Sequence, residues 1–282
     1  MAIAPHRLIL LALAALHLVA GVMLAWSIDA GIGSPGAAVL LDALVYADAG
    51  LLAVWAGLGR HSKWAGFFGV GLGMACLASL VAWALRHSMS GLIGPGNDFW
   101  TTVWLWLFQL ALALLSMAVA LAVLLRLRQL GLVLQRVRRA EALTQPSEIQ
   151  FSLRQLMLLV FFVAALVKLG PLMRAHLNDY RSYVSSVVAL SLGALCLGTT
   201  TLIGLWAALG SRATVGRAAV ALALAASFGL LPPYYFPDLF SGDFAASVAV
   251  VVAVEFITLG SLLAVRWLGF RLGPSGEASL SQ

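Results

Sequence analysis

Five ionisable side chains sit in sequence too apolar to hold them unaided: His17, Asp42, Asp48, Lys168 and Glu255. A charge at the centre of a transmembrane helix costs about 2.5–3.5 kcal/mol on the insertion scale, so each needs a counter-charge, a hydrogen bond or water. At about 1.5 Å of rise per residue, His17, Asp48 and Glu255 fall near mid-membrane, and Asp42 and Lys168 in the outer third. One imidazole and two carboxylates at one depth can exchange protons or bind a cation, with Asp42 and Lys168 as an outer pair or gate. Hydrogen-bonded or ion-paired across helices, the same groups would only fix packing, and Asp42 and Lys168 could instead snorkel outward. Asp42 and Asp48 are about 240° apart around a helix and do not form a shared carboxylate site, whereas Asp48 and Trp55 share a face.

These residues need helices to carry them, and the composition supplies little else. The chain is 62% hydrophobic and 10% charged, with a mean hydropathy of +1.00; soluble domains are about one-quarter charged. Apolar windows long enough to cross about 30 Å of hydrocarbon fall at 7–28, 38–58, 64–85, 99–125, 152–173, 184–209, 218–236 and 245–266. Polar or Gly/Pro-rich breaks separate them, among them GIGSPG, GRHSK, SGLIGPGND and PDLFSGD. The run from Leu8 to Trp26 is longer than a signal-peptide core and has no small-x-small cleavage site after it, so it reads as a retained first span.

Orientation follows from the longest stretch that cannot enter hydrocarbon, Arg126 to Arg154, which carries Arg126, Arg128, Arg136, Arg138, Arg139 and Arg154. The positive-inside rule places it in the cytoplasm. With eight spans, thirteen of the seventeen Lys and Arg lie inside, three lie outside (Arg86, Arg174, Arg181), and Lys168 lies within a span. One misplaced span would swap every loop downstream, so this asymmetry supports the count, with both termini cytoplasmic in a cell inner membrane. Trp26, Trp83 and Trp100 on the outer side and Trp55, Trp64, Trp206 and Trp267 on the inner side stand where interfacial anchors do.

Within the connector, Leu127, Leu130, Leu134 and Val137 recur at helical spacing. They fit an extension of the fourth span, an amphipathic helix on anionic lipid head groups, or a solvated basic linker. Its exit has a capping-box spacing in Ser152 and Gln155, a hydrophobic staple in Phe151 and Leu156, and Arg154 placed to snorkel. The F-S-L-R-Q-L run resembles uncharacterised bacterial multi-pass membrane proteins in which F-S-L-R-x-L immediately precedes a long apolar helix. The likeness covers Phe151 to Val160 and implies a helix start, with no activity attached.

The two sides of the connector look like copies. LLAVWAGLGR from Leu51 aligns with LIGLWAALGS from Leu202, pairing Trp55 with Trp206, and Asp98-Phe99 matches Asp243-Phe244. Four spans per copy is even, so the repeat is parallel, about an axis along the membrane normal. The expected fold is an all-α integral membrane protein of eight helices: a first half over 1–125, a basic connector over 126–151, a second half over 152–271 and a disordered tail over 272–282.

Several chemistries leave no trace. The chain has no H-E-x-x-H, no G-x-S-x-G and no His pair at haem-ligating spacing within a helix, and His61, His87 and His176 lie at span ends or in loops. Cys76 and Cys196 fall in apolar spans without metal or redox spacing, so no metal or cofactor is implied. Gly66 to Gly73 contains a G-x-x-x-G suited to close helix contact, without the strand and Lys of a phosphate loop. Pro232, Pro233 and Pro237 should end the seventh span. The surplus of basic charge is topogenic, not a nucleic-acid footprint, and the expected partners are the bilayer, anionic head groups or another membrane protein. The function expected first is a non-enzymatic scaffold, sensor-like or assembly component; the alternative is a small-solute or proton-coupled ion transporter.

Overall fold

A computed structural model describes residues 5–30, 35–58, 69–79, 99–129, 132–136, 183–209, 215–235 and 244–274. Its helices are α1 (Pro5–Asp29), α2 (Pro35–Leu58), α3 (Gly69–Ser79), α4 (Phe99–Gln129), α5 (Tyr183–Leu209), α6 (Val215–Tyr235) and α7 (Phe244–Trp267). Each is a continuous Leu/Ala/Val-rich run, in which every backbone polar group can be satisfied within the segment, as hydrocarbon requires. Among the described residues, five helices are long and apolar enough to cross a membrane: α2, α4, α5, α6 and α7. Pro232 and Pro233 lie in the last turn of α6, which is described to Tyr235, and their missing N–H groups leave carbonyls of the preceding turn without a donor; Pro237 lies outside the described residues.

α2, α4, α5 and α7 form a closed ring: α2 packs on α4, α4 on α5, α5 on α7 and α7 on α2. α6 lies outside against α5 and α7, and α1 outside against α2, where Ala25 and Leu41 make a small apolar contact with Leu24 and Ile28. The difference in enclosure is large: 83% of the apolar window of α5 is buried against 28% of that of α6. Small residues allow the close approaches. A Cβ added at Gly198 would come within 3.0 Å of the Ser116 carbonyl, and one at Gly229 within 2.7 Å of the Val248 Cα. Gly69 and Gly73 of α3 meet the Trp55 ring and Leu52 of α2, the close helix contact that G-x-x-x-G permits.

The outer faces are apolar as well. Leu16, Leu18, Val19 and Met23 of α1, Leu72 of α3 and Phe256 of α7 are all more than half exposed. A soluble monomer rarely shows so continuous an apolar surface, whereas lipid covers it at no cost. The chain is a helical, multi-pass membrane protein.

One feature of the described residues departs from an all-α reading. α4 runs past Leu125 to Gln129, and then β1 (Leu132–Arg136) pairs antiparallel with β2 (Phe270–Pro274), Leu134 opposite Leu272. Of the leucines read at helical spacing, Leu127 is in α4 and Leu134 is in β1, while Leu130 and Val137 lie outside the described residues. Leu132 to Arg136 form a strand because a second strand is delivered beside them from the other end of the chain. Gly269 makes that delivery possible: its φ of 89° ends the α7 segment in a tight turn, a conformation that glycine adopts without a Cβ penalty. β2 also takes in Leu272 to Pro274, the start of the expected disordered tail. The expected fifth span at 152–173 lies outside the described residues.

Candidate functional site

α1, α2 and α7 converge on one imidazole. His17, at the centre of α1, places Nδ1 2.5 Å from Asp48 Oδ1 of α2 and Nε2 3.0 Å from Ser261 Oγ of α7. His17 and Asp48 keep 14% and 20% of their side-chain surface, whereas Ser261 is buried at 4%. Because the carboxylate accepts from Nδ1–H, Nε2 of the neutral imidazole accepts from the serine hydroxyl; in the imidazolium Nε2–H donates to the same oxygen. Either way both contacts are kept, and the charge of the cluster changes by one.

Carboxylate, imidazole and hydroxyl in this order also make up the arrangement that activates a serine nucleophile. The burial of Ser261 decides between the two chemistries. A proton can pass to an enclosed hydroxyl along a hydrogen bond, but an acyl carbonyl cannot reach it, so the cluster as it stands is suited to carrying protons.

Glu255 is separate from this cluster. It lies at the middle of α7 with 0% exposure, and neither of its carboxylate oxygens has a hydrogen-bond partner among the described residues. It faces α5, where Gly204 leaves room for it: a Cβ there would meet Oε1 at 3.1 Å and Oε2 at 3.3 Å. Thr258, one turn along α7 on the same face, is also fully buried with its hydroxyl unpartnered. Glu255 and Ser261 point in different directions around one helix, which explains why equal depth did not bring Glu255 to His17 and Asp48.

Asp42 accepts a long hydrogen bond, 3.4 Å, from Gln109 Nε2 of α4. Beside them is a cavity of about 10 Å³ lined by Asp42, Tyr46, Met74, Leu77 and Gln109, room for about one water molecule. Lys168, expected to pair with Asp42, lies outside the described residues, as do Arg138, Arg139 and Arg154; Arg136 is in β1. Arg126 and Arg128 occupy the last turn of α4, where cations meet the negative end of the helix dipole. On α7, Arg266 donates to the Ala208 carbonyl of α5 at 2.8 Å, and Arg217 of α6 sits 5.0 Å over the Trp206 ring.

Two members of the site carried no signal in the sequence. Ser261 and Thr258 are uncharged residues in an apolar helix; only the i, i+3 spacing of Thr258 from Glu255 marked a shared polar face on α7, and Ser261, at i+6, falls off it. Comparison with protein-family models, with curated proteins and with solved structures finds no match.

Proposed function

We propose that the protein is a proton-coupled membrane component, a small-solute or ion transporter that works through its intramembrane ionisable residues. The observation that carries this reading is the bridge from Asp48 through His17 to Ser261 inside the membrane. A hydroxyl that can donate or accept lets the imidazole gain or lose a proton without breaking a helix contact, a freedom that packing alone does not need. The test is proton uptake into proteoliposomes under an imposed pH gradient. Asp48→Asn combined with Glu255→Gln is expected to reduce uptake to the level of empty vesicles, and unchanged uptake ends the reading.

The second reading is a non-enzymatic scaffold, sensor-like or assembly component. In its favour, polar contacts of the described residues tie neighbouring helices together: His17 to Asp48 and Ser261, Asp42 to Gln109, Arg266 to Ala208. Under it, the same double variant alters yield or complex formation, and the wild type moves no protons.

The topology we attach to either reading is eight crossings in two parallel four-helix halves, both termini in the cytoplasm of a cell with an inner membrane. The β1–β2 pairing supports it by bringing the ends of α4 and α7 to one side, as an even number of crossings between them requires. Those ends carry Arg126, Arg128 and Arg266, the basic signature of the cytoplasmic face. The repeat is supported by the ring order, in which α2 on α4 corresponds to α5 on α7. It is supported again where Gly50 meets Thr201, its own counterpart in the alignment through Trp55 and Trp206; a residue touching its mate is what a two-fold axis produces. Arg126 and Arg128, with Arg136, Arg138, Arg139 and Arg154, form the inner-leaflet basic set for anionic head groups.

A further inference from the structure

We infer that Glu255 and Thr258 of α7, facing Gly204 of α5, form an exchange site for one monovalent cation, a proton or a sodium ion. The inference rests on the proton-coupled reading and names what the second intramembrane carboxylate binds.

The Glu255 carboxylate receives no hydrogen bond from the described residues, and the polar neighbour on its own face is the Thr258 hydroxyl, one turn along α7. Both carboxylate oxygens and the Thr258 hydroxyl are buried and unpartnered among the described residues. The described helices that meet α7 carry the titratable groups His17 on α1, Asp42, Tyr46 and Asp48 on α2, Cys196 on α5, and Arg217 and Tyr234 on α6, and none hydrogen-bonds the Glu255 carboxylate.

An enclosed carboxylate that receives no hydrogen bond from the described residues is costly as a bare anion, and a proton or a metal ion is what would meet its charge. The donor set is all oxygen, which suits a hard cation. It carries one negative charge, so a divalent ion would leave a net positive charge in hydrocarbon, and the match is to a monovalent one. Gly204 is what admits the carboxylate here: with no side chain on α5 at this point the two oxygens pack where a Cβ would stand 3.1–3.3 Å from them.

The experiment is carbodiimide modification of the purified protein in proteoliposomes, mapped by mass spectrometry. Dicyclohexylcarbodiimide reacts with protonated carboxyls in apolar surroundings, so it is expected to modify Glu255 and to lose that product in Glu255→Gln. Sodium chloride in place of choline chloride slows the modification about tenfold if sodium is present at ~10 times its Kd, since the occupied fraction is withdrawn from reaction. Protection by sodium identifies a site shared by the two ions, and modification that responds to pH alone identifies a proton site; both support the inference. A second readout, the melting temperature, is expected to shift with sodium in wild type and not in Glu255→Gln or Thr258→Val, and to shift less with pH in Glu255→Gln than in wild type, since the other ionisable groups remain. Absence of both the modification and the cation-dependent melting shift overturns the inference. Proton uptake measured on the same vesicles separates the two claims: modification without uptake keeps the site and removes transport, and uptake without either signature does the reverse.

Discussion

The Glu255 carboxylate lies against the backbone of Gly204, so close that a Cβ at that position would stand 3.1 Å from Oε1 and 3.3 Å from Oε2. Two helices of the central ring therefore meet at a charge-bearing group and a missing side chain. A one-carbon change tests how firmly the carboxylate is held.

Gly204→Ala should destabilise the protein even though alanine favours the helix. The propensity gain is about 1 kcal/mol, and overpacking an enclosed contact costs about 1–3 kcal/mol. With Glu255 at 0% exposure, the carboxylate has no solvent to swing into, so the second effect wins by roughly 1 kcal/mol. Denaturant unfolding in detergent gives the difference. In the Glu255→Ala background the cost should vanish and leave the propensity gain; a cost that persists there would place the carboxylate elsewhere.

The bridge between α1 and α2 is expected to show strong coupling. Hydrogen bonds to charged groups contribute about 1.5–3 kcal/mol, and His17 and Asp48 make one at 2.5 Å while both are mostly enclosed. A double-mutant cycle of His17→Phe and Asp48→Leu should therefore give a coupling free energy of about 2 kcal/mol. Additive single losses would mean that the two side chains do not meet in the membrane.

How much of this was readable beforehand depends on which force sets each feature. Helix positions follow bilayer thickness and hydropathy, so α2, expected over 38–58, runs Pro35–Leu58, and α7, expected over 245–266, runs Phe244–Trp267. The pairing of His17 with Asp48 was within reach because both are ionisable and share a depth. Ser261 was not, since a neutral hydroxyl leaves no mark on hydropathy, and the separate position of Glu255 depends on the rotation of α7. The β1–β2 ribbon was hidden for another reason: its two strands are far apart in sequence, and the leucines before it fit a helix until the partner strand arrives.

The enclosed serine gives a prediction that runs against the resemblance to a nucleophilic triad. With Ser261 buried at 4%, a fluorophosphonate probe should not label it in the folded protein, and Ser261→Ala should leave the labelling pattern unchanged. Probe covalently attached to Ser261, mapped by peptide mass spectrometry, would show that α1 opens far enough to admit a substrate, and would replace proton transfer with acyl chemistry.

The ribbon predicts a crosslink between distant parts of the chain. Leu134 and Leu272 stand opposite one another, and facing positions in an antiparallel pair have Cα atoms about 4.5–5.5 Å apart, within the reach of a disulfide. Leu134→Cys with Leu272→Cys in a background of Cys76→Ser and Cys196→Ala should oxidise to a species of altered gel mobility that reductant reverses. The control Leu134→Cys with Phe244→Cys, whose second site is at the far end of α7, should not. Equal crosslinking in both would remove the evidence that α4 and α7 end on one side.

Glycine contacts divide sharply, and the division predicts opposite signs for one substitution. At Gly229 a Cβ would stand 2.7 Å from the Val248 Cα and 3.2 Å from the Ser247 carbonyl oxygen, backbone atoms of α7 that cannot move without moving the helix. At Gly260, on α7 itself, a Cβ would meet nothing within 4 Å among the described residues. Gly229→Ala should cost about 1–3 kcal/mol as α6 is forced from α7, and Gly260→Ala should be neutral or stabilise by up to about 1 kcal/mol. Thermal unfolding of the two variants in the same detergent compares them directly. If Gly260→Ala proves the more damaging, the outward face of α7 is covered by a partner rather than by lipid, and the scaffold reading gains over transport.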